Sequence, residues 1–209
     1  MYTQKTEEKI KETARKLFTL KGYSSTTIRE IARDSQVNIA LVNYYFRSKE
    51  NLFKIIMEES FEKLFSLIEP IINNKDTALE SKIQSLVNHY LDFLLQFPDL
   101  PLFMLNEIKN NPKHLGLKIN IKKKIKQSSL ILQIRQANPE INPLHIIFNL
   151  LGMLVFPFIM KPVISSVNLL KDEEFRLIIH ERKKLIPAWI KFILKIELSD
   201  NILNYNEKS

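Results

Sequence analysis

Residues 37–53 read VNIALVNYYFRSKENLF. Tyr44, Tyr45 and Phe46 stand in a row ahead of a basic turn, Arg47-Ser48-Lys49. Such a stretch is either a core helix with a charged end or a surface whose aromatics help grip something negatively charged. Wound as a helix, residues 38–45 divide into two faces. Leu41, Val42 and Tyr45 cluster on one side and suit packing on neighbouring helices. Ile39, Ala40, Asn43 and Tyr44 fan out on the other, and that face suits a DNA major groove. The Asn43 amide matches the donor and acceptor of an adenine edge, and Ile39 and Ala40 match thymine methyls. Tyr44 offers a hydroxyl to a phosphate, and Lys49 offers a charge at the start of the next helix.

The neighbouring sequence supplies the frame for this face. Ile10, Ala14, Leu17 and Phe18 share one side of a first helix, which Gly22 is placed to end. Thr27 and Glu30 have capping-box spacing at the start of a second, short helix carrying Ile28, Ile31 and Ala32. A tight Ser35-Gln36 turn leads to the third helix, with Asn38 as its N-cap. These are the dimensions of a helix-turn-helix, in which the second helix of the pair enters the groove. Ser48 then caps a long fourth helix with Leu52, Phe53, Ile56, Ser60, Leu64 and Leu67 inward.

Beyond Pro70 the pattern predicts longer helices over about 76–97, 99–110, 114–137, 143–166 and 172–197. Asn73–Asp76, Phe97-Pro98, Asn111-Pro112 and Asn138-Pro139 separate them. No alternating strand pattern persists. The expected class is all-α: a three-helix DNA-binding unit over residues 1–54, then a larger helical bundle over 55–209 for ligand binding and dimerisation.

The series Gly22-Tyr23, Thr26-Thr27-Ile28-Arg29-Glu30-Ile31-Ala32, Val37-Asn38 and Tyr44-Tyr45-Phe46-Arg47-Ser48-Lys49-Glu50-Asn51-Leu52 resembles the N-terminal domain of TetR/AcrR-type transcriptional regulators. The likeness covers about residues 6–54. It implies an all-α homodimer that binds an inverted-repeat operator in double-stranded DNA, usually as a repressor, and a variable body that binds a small-molecule effector. Carried over by position, Thr27 and Arg29 match the phosphate-contacting start of the second helix. Asn38, Ile39, Ala40 and Asn43 fall in the base-reading segment, and Tyr44, Tyr45 and Lys49 match the backbone clamp. Two positions depart from the pattern. Gln36 stands where glycine is usual, and Asn43 stands where tyrosine is usual, so Asn43 reads either a base or the backbone.

Composition narrows the alternatives. The net charge is +8. Eleven Lys or Arg against six Asp or Glu fall in residues 1–54, and seven Lys with no acid fall in 109–126. Both excesses point to an anionic partner or to solvated lysine faces. With no cysteine, disulfides and thiolate chemistry are excluded, which suits a reducing cytoplasm. Three scattered glycines form no phosphate-cradling loop, and four scattered histidines form no metal motif. The reading is therefore no enzyme, no metal and no cofactor. The opening residues lack the apolar core of a signal peptide, and the apolar run Ile146 to Met160 is shorter than the roughly twenty residues of a membrane span. The expectation is no membrane, with the 143–166 helix buried on more than one side.

The last two helices are the expected dimer face, the final one through a stripe of Phe175, Ile178, Ile179, Arg182, Leu185, Ile186, Trp189, Ile193 and Ile196. The expected effector pocket draws on Phe93, Phe97, Phe103, Met104, Phe148 and Phe156, with His89, Asn106 and Asn149 as polar anchors. The basic cluster Lys118–Lys126 reads as a solvated face or as electrostatic support for DNA or an acidic partner. An alternative function for the whole chain is association with membrane surfaces or with an acidic protein.

Overall fold

The computed structural model describes residues 2–110 and 127–195 of the chain. Nine helices occur among them and no strand. They are α1 (Tyr2–Ser25), α2 (Ile28–Asp34), α3 (Ile39–Phe46), α4 (Lys49–Asn73), α5 (Leu79–Gln96), α6 (Leu100–Asn110), α7 (Ser129–Ala137), α8 (Pro143–Ser166) and α9 (Asp172–Ile193).

Capping chemistry sets the boundaries of the first four. Gly22 breaks the helical path of α1, as its sequence position suggested: at φ 77° and ψ 166° it lies in a region only glycine adopts readily, and a separate turn through Tyr23–Ser25 follows. The Thr27 hydroxyl accepts from the Glu30 amide at 3.2 Å, and the Glu30 carboxylate accepts from the Thr27 amide at 2.9 Å. Asn38 caps α3 by accepting from the Ala40 amide at 2.9 Å, and Ser48 caps α4 by accepting from Asn51 at 3.1 Å. Between α2 and α3 the Val37 amide reaches the Ala32 carbonyl and the Gln36 amide reaches Arg33, which is the hydrogen-bond pair of a Schellman motif. That motif needs a left-handed residue at its first position past the cap, and Gln36 occupies it at φ 54°.

Behind the turn a small core forms from Ile10, Ala14, Phe18, Ile31, Ala32, Val42, Phe46 and Leu52, all almost fully buried. Helix α4 leaves this core without a break and enters the body, where Leu64 and Ile72 are buried again. At about 1.5 Å per residue, one element some 37 Å long serves both regions.

Two expectations for the body are corrected. The helix expected over 114–137 does not run unbroken, because Ser128 is a new N-cap, its hydroxyl accepting from the Ile131 amide, and α7 starts at Ser129. The basic cluster Lys118–Lys126 lies outside the described residues. Helix α8 is not buried on more than one side within the chain. Ile146, Leu150, Leu154 and Phe158 form its one buried stripe, while Phe148 is 65% and Phe156 59% exposed. Its most apolar stretch has a mean hydropathy of 1.9 and is long enough to cross a membrane by length and composition, with 28% of that stretch buried.

Buried polar groups in the body are matched with care. Lys82 is fully buried, and its ammonium donates to the Asn74 carbonyl (2.6 Å), the Ser129 hydroxyl (2.9 Å) and the Gln133 side-chain oxygen (2.7 Å). This joins α4, α5 and α7. Prolines inside helices create a second demand, since each lacks the amide that would serve the carbonyl four residues earlier. Pro157 in α8 strips Met153, and Arg182 of α9 donates to that carbonyl at 2.6 Å. Pro187 in α9 strips Lys183, and Gln84 of α5 donates there at 2.9 Å.

Two stability predictions follow from these contacts. Gln84→Leu should cost about 1 kcal/mol, because it leaves the Lys183 carbonyl without a donor. Adding Pro187→Ala supplies a helical amide and should recover most of that loss. Urea unfolding of the four proteins of this cycle checks it, and simple additivity of the two changes would sink the account. Gln36→Gly should raise stability by up to about 1 kcal/mol by relieving a left-handed side chain, seen as a higher urea midpoint at unchanged slope.

Candidate nucleic-acid interface and effector cavity

The third helix presents the face the sequence outlined. Val42 and Phe46 are buried, and α3 packs on α2 and α4, which fixes its rotation. Ile39 is then 39% and Tyr44 77% exposed, with Ala40 and Asn43 exposed beside them. Thr27, Arg29 and Asn38 are also exposed, at the N-terminal ends of α2 and α3. Tyr45 is half-buried, and its ring meets Tyr44 edge-on at 5.4 Å between centroids. Seven of the expected residues thus sit at the surface of α2, α3 and the turns before them, and Tyr45 braces them.

Lys49 is placed differently. Its ammonium donates to the Tyr23 and Thr26 carbonyls, each at 3.0 Å, and lies 4.2 Å from the centre of the Tyr23 ring. Both carbonyls follow the Gly22 break, Tyr23 in the last turn of α1 and Thr26 just past it. The lysine therefore pins the start of α4 to the end of α1. Tyr23 and Thr26 were not singled out as site residues from the sequence; only the fold brings Tyr23 within reach of a side chain 26 residues away.

Around this pin the rings of Phe18, Tyr23 and Phe53 pack together, with Tyr23 and Phe53 at 4.6 Å. Phe103 of α6 meets Phe53 edge-on at 6.0 Å. The Thr19 hydroxyl donates to the Gln96 carbonyl at 3.0 Å, and Asp99 at the start of α6 lies near the Tyr23 amide. Burial pushes the Asp99 carboxyl up from its ordinary value, and the Tyr23 amide opposes that. At the exposed start of α2 the reverse holds. Lys21 and the Thr27 amide hold Glu30 down at about 2. A depressed carboxylate stabilises the fold above its ordinary value near 4.5, so the capping box persists until pH falls toward 2.

In the body a cavity of about 520 Å³ opens between α4, α5, α6 and α8. Of the residues expected to form a pocket, Met104 and Phe156 line it. The others do not. Phe93 and Phe97 are buried against each other at 4.6 Å, Phe103 packs on Phe53, and Phe148 lies at the surface. His89 sits on an exposed polar face of α5, where its Nδ1 is 2.7 Å from the Ser85 carbonyl, and Asn106 and Asn149 are exposed. Helical wheels cannot tell which of several apolar stripes faces a void. The walls are instead Leu64, Ile68 and other residues of α4, with Leu86, Tyr90, Leu105 and Ile147. Among the described residues no group of His, Asp and Glu suited to a metal is present.

Residues 10–56 match the family of bacterial regulatory proteins named for TetR. A Bacillus subtilis protein named "Probable HTH-type transcriptional regulator YttP" is 26% identical over 199 residues, covering 91% of this chain and 94% of its own. IcaR of Staphylococcus aureus, the negative transcriptional regulator of the biofilm operon icaADBC, is 26% identical over 110 residues, covering 53% of this chain and 57% of its own. In fold, the chain is similar to a TetR/AcrR-family regulator of Thermobifida fusca, with a TM-score of 0.61 at 16% identity over 87% of this chain and 96% of that one. A TetR-like regulator of Rhodococcus gives 0.58 at 10% identity over 92% and 97%. Motif, relatives and fold point the same way: residues 10–56 match the TetR family model, and the chain is similar in sequence and in fold to helix-turn-helix regulators of the TetR/AcrR type.

Proposed function

We propose that the chain is a cytoplasmic homodimeric repressor that binds an inverted-repeat operator and releases it when an effector occupies the cavity. The observation that carries the DNA-binding role is the outward face of α3, Ile39, Ala40, Asn43 and Tyr44, held in place from behind by buried Val42 and Phe46. Thr27, Arg29 and Tyr44 are assigned to phosphates, Ile39, Ala40 and Asn43 to base edges, and Asn38 to capping the helix that carries them. Residues 1–54 are the DNA-binding domain and 55–209 the regulatory one.

The dimer reading rests on the outer faces of α8 and α9. Phe148 and Val163 of α8 are more than half exposed, as are Leu177 and Phe192 of α9, and Leu185 and Trp189 lie nearby at 42% and 39%. A contiguous apolar surface of this kind is what a second copy would cover. This accounts for the hydropathy of α8 better than a bilayer does, since α8 and α9 pack on each other and share the Arg182 contact. The effector reading rests on the position of α4 and α6, which both line the cavity and both reach the aromatic cluster around Tyr23. A change in α6 or α4 would shift the angle at which α3 is held.

Selection of bound duplexes from a random pool, followed by fluorescence anisotropy, tests the whole. A two-fold protein should enrich inverted repeats with half-site centres about 34–36 Å apart or a multiple of that. A monomer by sedimentation that enriches no repeat would refute it. Asn43→Ala should relax preference at one base pair per half-site, by about 1–3 kcal/mol, and leave non-specific affinity intact. Tyr44→Phe should weaken all duplexes alike. Lys49→Ala should act chiefly on the fold, costing about 1.5–3 kcal/mol for the lost charged hydrogen bonds, with the salt dependence of DNA binding nearly unchanged. Lys49 would instead be a phosphate contact if stability held and the salt slope fell by about one unit per subunit.

A further inference from the structure

The chemistry of the cavity walls narrows what can enter. Among the described residues that line it, none carries a charged side chain. The polar side chains there are Ser128 and Tyr90. Ser128 is already engaged as the cap of α7, accepting from the Ile131 amide. Tyr90 is different. Its phenol finds no hydrogen-bond partner among the described residues, and burial pushes it up to about 12, so it stays protonated at any physiological pH. Tyr90 lines the cavity, where its hydroxyl can donate to a guest oxygen. A carboxylate or an ammonium, by contrast, would lose its hydration and gain no opposite charge.

The volume of about 520 Å³ falls within the roughly 300–1,000 Å³ of sites that hold drug-sized ligands. The lining includes aliphatic residues from α4, α5, α6, α7 and α8, among them Ile68, Leu86, Leu105, Leu130 and Leu150. Such walls fit an apolar body of low polarity.

We propose that the cavity takes an uncharged, mostly apolar molecule of the fatty-alcohol or fatty-ester class, anchored through one oxygen to the Tyr90 phenol. This rests on the reading of the cavity as the effector site and names the effector's chemistry. The purified full chain is titrated with the neutral fluorophore N-phenyl-1-naphthylamine, which is then displaced by dodecanol, dodecanoate or dodecylammonium at pH 8. Dodecanol should displace the probe at about tenfold lower concentration than either charged analogue. In Tyr90→Phe, a conservative change that leaves the wall intact, the probe should bind as before while dodecanol is needed at about threefold higher concentration and its advantage shrinks accordingly.

If dodecanoate or dodecylammonium displaces the probe as well as dodecanol does, the chemical class is wrong and the effector-site reading stands. An unchanged dodecanol advantage in Tyr90→Phe removes the anchor, and with it the proposal. If the wild-type chain does not bind the fluorophore at all, both the class and the cavity's role as a ligand site fall.

Discussion

The ammonium of Lys49, held between the Tyr23 and Thr26 carbonyls and the face of Tyr23, is the contact on which the arrangement of the N-terminal helices depends. Here a cation from the first turn of α4 meets the Tyr23 and Thr26 carbonyls, and hydrogen bonds with a charged donor are stronger than neutral ones. Because α3 lies between them, joined to α4 by the single turn of Arg47 and Ser48, the same contact fixes where the outward face of α3 points. The cost falls on local geometry: Arg47 adopts a φ of 64°, in the left-handed region.

Helix α4 carries that constraint into the body. Its first turns support Phe46, through a hydrogen bond from the Asn51 side-chain Nδ2 to the Phe46 carbonyl at 3.1 Å, and its later turns form a wall of the cavity. The Glu59 carboxylate, midway along it, accepts from Lys11 at 2.7 Å and Arg15 at 3.0 Å, which fastens α1 along its length. With Phe103 of α6 packed on Phe53, the N-terminal helices and the cavity are parts of one contiguous packed structure. Interiors of this density transmit displacement more readily than they absorb it.

The body tolerates features that would break an isolated helix because neighbours repair them. Pro157 and Pro187 each remove a backbone donor, and Arg182 and Gln84 from adjacent helices supply replacements. The repair by Arg182 is incomplete. Burial lowers its guanidinium from its ordinary value, its Nε has no partner, and the Trp189 ring lies 5.5 Å away. Lys82 shows the complete version, a buried cation with all three donors matched to neutral oxygens. Such satisfied groups hold helices in register, since any slip would strand them.

The sequence alone determined the local elements. Thr27 with Glu30, Asn38 and Ser48 announce helix starts because their side chains compete for amides a few residues away, and the structure has each cap in place. The inward and outward faces of α3 were legible for the same reason: helical period is a local property. Tertiary structure decided everything that joins distant segments. It turned Lys49 inward, placed Tyr23 beneath it, split the stripe on α9 so that Phe175, Ile179 and Ile186 face the core while Leu185 and Trp189 face outward, and chose Met104 and Phe156, not Phe93 or Phe148, for the cavity wall. Spacing along one helix says which residues share a side. Which side meets a neighbour, and where the packing leaves a void, depends on the crossing of helices far apart in the chain.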